Sequence, residues 1–165
     1  MGEDDDFSAF AGARWAALVR SAVFLGCTLD EAQDLAQVTL VRCFVSWRKI
    51  LKAEDPDAYV YKVMLNAQRD SKRRRWWGET PTQSVPERTI PTDPTEQLVV
   101  TDAIHRALAE LSPVNRQVVV LRYFAELSES RTAQVLGIPP GTVKSRLSRA
   151  LSQLATNHHL AEGSL

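Results

Sequence analysis

The sequence predicts an all-α fold built as two small helical domains, and three observations predict it. Apolar residues recur at intervals of three and four along most of the chain, and no run alternates apolar and polar residues between hairpin turns. The periodicity stops over 78–95, where GETPTQSVPERTIPTDP holds four prolines and several Thr and Ser residues, too little apolar surface to order itself. That segment reads as a flexible linker between a first domain over 7–77 and a second over 96–155. At 165 residues in all, each domain would have a thin core.

In the first domain, Phe7 to Leu25 forms a helix with Phe10, Ala13, Ala17 and Phe24 among its apolar positions. The acidic stretch before it, Glu3 to Asp6, reads as a disordered, solubilising tip. Thr28 caps a second helix whose first turn carries Asp30 and Glu31, where the helix dipole favours acids, and which runs to about Trp47. Asp55 and Pro56 open a third, in which Val60, Val63, Met64 and Ala67 form the buried stripe. In the second domain Glu96 to Leu111 is one helix, and Ser112 and Pro113 start another that runs toward Phe124. The tail NHHLAEGSL is expected to fray, with His158 and His159 too isolated to hold a metal.

Residues 126–154 are the most informative. Ser128 caps a short helix, Gly137 sits where a left-handed residue would end it, and Pro140 opens a second helix at its first position. Val143, Leu147, Ala150, Leu151 and Leu154 line one side of that second helix. Thr142, Lys144, Ser145, Arg146, Ser148 and Arg149 face the other way, so the pair reads as a helix-turn-helix with a basic outer face. A second patch closes the first domain: RDSKRRRWW, Arg69 to Trp77, puts five basic residues beside two tryptophans. Basic side chains along a helix neutralise phosphates and aromatic faces stack unpaired bases. Tyr59 and Trp77 would serve equally as core.

Composition limits the alternatives. The formal net charge is zero, so only local patches can meet nucleic acid. Cys27 and Cys43 have no CxxC spacing and read as reduced core thiols of a cytoplasmic protein. No export signal or membrane span is evident, and no Gly-rich phosphate loop, paired apolar carboxylates or activated nucleophile suggests an enzyme.

Four segments in order, DEAQDLAQVTLVRCF, PDAYVYKVMLNAQRDSKRRR, LSPVNRQVVVLRYF and the helix-turn-helix, resemble the bacterial RNA polymerase sigma factors of the sigma-70 family. The likeness covers residues 7–155 and is to the extracytoplasmic-function (ECF) group, which keeps only the region 2 and region 4 domains. The FSAFAGARWAALVRSAVFL start is similar to the actinobacterial SigE-like subgroup.

The resemblance implies a function for each segment. Asp34, Leu35 and Gln37 would meet the β′ coiled coil of core RNA polymerase, with the β subunit as a further contact. Val38 stands where relatives often carry an acid. Tyr59, Lys62, Asn66, Arg69, Lys72, Arg73 and Arg74 would bind the −10 element, Asn66 at a base edge and the cations at phosphates. Asp70 would orient nearby arginines. Arg131, Thr142, Lys144, Ser145, Arg146, Ser148 and Arg149 would bind the −35 element. Arg131 replaces the Glu that relatives often place three residues after the capping Ser, so it cannot close a capping box and is expected to bind phosphate.

By this resemblance the protein directs promoter-specific initiation with no cofactor, metal or reaction of its own. It is expected to be a monomer when free, and an anti-sigma factor is a further partner the family admits. A stand-alone helix-turn-helix repressor or activator is the rival reading; it would bind a palindrome as a dimer and would not require DEAQDLAQ or the Asn66 to Arg75 segment.

Overall fold

The computed structural model describes residues 2–77 and 96–162, and among them the fold is helical with no strand. The linker expected over 78–95 lies outside the described residues.

Helix α1, Glu3–Phe24, begins a turn earlier than its apolar spacing indicates, because Glu3, Asp4, Asp5 and Asp6 fill the first turn, where unpaired N–H groups favour anions. The acidic start is therefore helical and not a disordered tip. Gly26 follows with φ +111°, and a Cβ there would lie 2.8 Å from Arg116 Nη1, so this turn requires glycine.

Helix α2, Leu29–Val45, opens with a full capping box. Thr28 Oγ1 accepts from the Glu31 N–H at 3.2 Å and Glu31 Oε1 accepts from the Thr28 N–H at 2.9 Å. It ends two residues before the expected Trp47, at Ser46 (φ −103°, ψ 22°), and a short α3, Trp47–Leu51, follows. The break turns Trp47 inward, edge-on to the rings of Phe7 and Phe10 at 5.3 and 5.0 Å. Helix α4, Pro56–Trp76, is capped by Asp55, whose Oδ1 accepts from the Ala58 N–H at 3.1 Å. Its buried face, Ala58, Val60, Tyr61, Met64, Leu65, Ala67 and Gln68, packs on α2; Val63 is half-buried.

The second half contains α5, Glu96–Ala109; α6, Pro113–Val119; α7, Glu129–Leu136; α8, Pro140–Ala155; and α9, His158–Glu162. The helix expected from Ser112 toward Phe124 widens after Val119 into a π-helical turn, Val120–Phe124. The wider turn is closed by Arg122 Nη1 donating to Leu127 O and by the Leu127 N–H donating to Leu121 O. The tail, expected to fray, folds back as α9 against α5.

The two halves touch. Helix α4 packs on α7, and α1 meets α5 and the π turn, where Phe24 and Phe124 lie 4.4 Å apart between ring centroids. Arg116 fastens the junction by donating to the carbonyls of Leu108 (2.9 Å), Leu111 (3.0 Å), Ala109 (3.1 Å) and, across the halves, Leu25 (3.3 Å). Burial pulls its pKa below the usual arginine value, the expected sign for a desolvated cation. Instead of two separate thin cores, buried residues of both halves form one continuous cluster, from Leu18 and Met64 to Leu108 and Leu121.

Candidate nucleic-acid interface

The outer face of α4 is a basic stripe. Lys62, Asn66, Arg69 and Arg73 follow at intervals of four, three and four, so they share one side of the helix, and all are exposed. Tyr59 is half-buried where the stripe begins. Trp76 and Trp77, 85% and 78% exposed, stand at its far end, so Trp77 is surface and not core. Lys72 and Arg74 flank the stripe along a groove of about 590 Å³ between α4 and the start of α2. Among the described residues no carboxylate pairs with Lys62, Arg69, Lys72, Arg73 or Arg74.

What fixes this helix is a set of contacts on its inner side. Asp70 pairs with Arg42 of α2 at 3.1 Å, and Arg75 pairs with Glu31. Burial pushes the Glu31 carboxyl up, but hydrogen bonds from Thr28 and Arg75 outweigh it and hold the group below its usual range. One arginine of the basic run is thus structural, and the acid within the run is used on α2.

On α2, Asp34 and Gln37 are exposed. Leu35, expected beside them at the surface, is 8% exposed and belongs to the core, because it shares the side of α2 that carries the buried Ala32, Ala36 and Thr39. Exposed apolar residues continue from them at spacings of three and four: Val38, Val41 and Val45, 44%, 58% and 81% exposed. Sequence reasoning noted Val38 but missed Val41 and Val45, whose signal was valine on the polar side of the helical wheel.

The helix-turn-helix forms as its punctuation predicts. Ser128 Oγ accepts from the Arg131 N–H at 3.1 Å, Gly137 takes φ +67°, and Pro140 opens α8. Val118 of α6, Ala133 of α7 and Val143 of α8 make a small core behind these helices. Outward from it Lys144, Ser145, Ser148 and Arg149 are exposed, while Thr142 and Arg146 are half-buried. The Ser145 hydroxyl donates to Thr142 O at 3.2 Å. Leu151 does not join the apolar stripe and is 39% exposed.

The Arg131 side chain closes no capping box and reaches across to the first half. Its Nη2 lies 3.0 Å from Glu54 Oε2 and its Nε 3.7 Å from Asp55 Oδ2, the cap of α4, while Nη1 donates to Gln134 Oε1 at 3.0 Å. His158 and His159 are not isolated either: the end of α5 brings Glu110 to them.

Two family models match the chain, Sigma-70 region 2 over residues 13–78 and Sigma-70, region 4 over residues 101–154. Among curated relatives, the RNA polymerase sigma-E factor of Streptomyces coelicolor is 40% identical over 93% of this chain and 86% of its own length. The ECF RNA polymerase sigma factor SigW of Bacillus subtilis is 28% identical over 76% and 74%. The sigma factor RpoE of Bartonella quintana, solved in complex with the anti-sigma factor NepR, aligns with TM-score 0.75 and 26% identity over 90% of this chain and 94% of that one. CnrH, solved with the cytosolic domain of CnrY, aligns at 0.67 and 23% and shares the fold. The chain belongs to the sigma-70 family of RNA polymerase sigma factors. Within that family it is an ECF sigma factor of the actinobacterial SigE-like kind. Among the described residues no helix is long and apolar enough to cross a membrane.

Proposed function

We propose that this chain binds core RNA polymerase, places α4 on the −10 element and the α7–α8 pair on the −35 element, and promotes opening of the duplex between them. The observation that carries this reading is the exposed basic stripe of α4 ending in two exposed tryptophans, on the same chain as a basic recognition helix. Asn66 offers an amide that both donates and accepts at a base edge; Lys62, Arg69, Lys72, Arg73 and Arg74 meet phosphates; Tyr59 sits near the point of melting. On α8 the exposed Lys144, Ser148 and Arg149 reach the groove, with Ser145, Thr142 and Arg146 beside them. Asp34 and Gln37 contact the β′ coiled coil, Leu35 holds them in place from the core, and Val38, Val41 and Val45 extend that contact with apolar surface. The β subunit is a second polymerase contact.

Distance adds a constraint. Elements centred near −10 and −35 are some 25 base pairs apart, roughly 80 Å of duplex at about 3.4 Å per step. Helix α4 is only about 31 Å long and its start is packed on α7, so the two readers cannot reach both elements in this arrangement. Binding to polymerase therefore separates the halves, and the same event releases Arg131 from Glu54 and Asp55 to a phosphate. The chain works in the cytoplasm and catalyses no reaction; captured bases and polymerase contacts supply the free energy of melting. Run-off transcription with core polymerase and a promoter library tests the reading: transcripts that require this chain are expected, and their absence contradicts it.

A further inference from the structure

The tail holds a cluster that promoter recognition does not use. Helix α9 folds onto the end of α5, where Glu110, His158 and His159 bring one ligand atom each to within 4.8 Å of one another. His159 Nε2 lies 3.2 Å from Glu110 Oε1, and the two imidazole rings are 3.9 Å apart between centroids. The carboxylate is oriented from behind. Its other oxygen accepts from Nδ2 of Asn157, a residue only 7% exposed, and Gln153 Nε2 donates to the Glu110 carbonyl at 3.2 Å. Asn157 Oδ1 in turn accepts from the backbone N–H of His159 at 2.9 Å, so one buried amide holds both the carboxylate and the backbone that carries the imidazole. Outer-shell hydrogen bonds of this kind orient metal ligands.

We propose that Glu110, His158 and His159 bind a first-row divalent cation, Zn²⁺ above all, with water completing the coordination. Two imidazoles and a carboxylate match the nitrogen and oxygen preference of zinc, and a three-residue set with one open position is an established zinc arrangement. Ligand atoms about 2.1 Å from a tetrahedral ion stand roughly 3.4 Å from one another. The Glu110–His159 pair already has that separation, and the exposed ring of His158 closes the set by rotating about its side-chain bonds. The bound ion clips α9 to the end of α5 and, through Gln153, to the last turns of α8, so it steadies the far end of the recognition helix.

The test uses the full chain without any histidine tag, titrated with Zn²⁺ by calorimetry and with Co²⁺ by visible absorption. One ion per chain is expected, with tetrahedral cobalt bands, and His158→Ala, His159→Ala and Glu110→Gln should each weaken binding roughly tenfold or more. Asn157→Ala should weaken it less than ligand removal does. His158 is exposed, so its variant keeps the fold, and an unchanged helical spectrum confirms that. Equal Zn²⁺ affinity in the wild type and in the His158→Ala/His159→Ala double variant, or binding that is lost with Cys27→Ser instead, would overturn the proposal.

Discussion

Helices α4 and α8 both carry a basic face outward, yet they are built differently. Helix α4 buries seven residues on the α2 side, is held there by Asp70–Arg42 and Arg75–Glu31, and ends in exposed tryptophans. Helix α8 fully buries only Val143 and Ala150 and shows a narrow face of Ser, Thr, Lys and Arg with no aromatic ring. A narrow polar face fits the major groove of a closed duplex, whereas cations followed by open aromatic faces suit unpaired bases. On the proposed function, the chain divides recognition between a platform for melted strand, α4, and a slimmer reader of double helix, α8.

The junction gives the largest effect. Replacing Arg116 by Ala removes its hydrogen bonds to the carbonyls of Leu25, Leu108, Ala109 and Leu111, of which Leu108 keeps the Leu111 N–H, and should cost about 2–4 kcal/mol in urea unfolding, loosening α5 and α6 from the first half. Next, Trp76→Ala/Trp77→Ala should weaken capture of the −10 non-template strand by the polymerase complex by about 1–3 kcal/mol per stacked base, yet leave duplex −35 binding unchanged. Lys144→Ala/Arg149→Ala should do the reverse. If both pairs of variants lose both activities equally, the division between the two helices fails. The caps offer a third comparison: Asp55→Ala on α4 and Ser128→Ala on α7 should each cost about 1 kcal/mol by thermal unfolding.

The smallest effect concerns the thiols. Burial pushes Cys43 up to about 11 and raises Cys27 as well, with the charge of Glu31 adding to the latter. Thiols raised by folding favour the folded state fully below the unfolded value near 8.5, and that contribution is lost as pH rises toward 11. Unfolding midpoints should fall modestly across that window, and thiol reagents should label native protein slowly at neutral pH.

What the sequence conveys well is local. The Thr28, Asp55, Ser112 and Ser128 caps and the Gly137 stop all lie where their short-range chemistry indicates, since each needs partners only three or four residues away. What it hides is long-range. Arg131 finds Glu54 and Asp55 from more than seventy residues off, Glu110 meets His159 across forty-nine, and the packing of Trp47 on Phe7 and Phe10 accompanies the break at Ser46. Leu35 and Leu151 show the same limit on a helical wheel: one apolar residue is core and the other surface according to a neighbour the wheel does not reveal. Basic residues of α4 were legible as a patch, but not that Arg75 is spent on Glu31.

On the proposed function, α4 and α8 act together on a promoter only within polymerase. Run-off transcription by core enzyme supplied with this chain, beside the Asn66→Ala/Arg73→Ala variant, tests it most directly. Transcripts dependent on the wild-type chain and reduced at least about tenfold by the variant are predicted, consistent with about 1–3 kcal/mol for a lost base contact. Wild-type and variant transcripts of equal strength, or specific duplex binding by the free chain with no transcripts at all, would contradict the account.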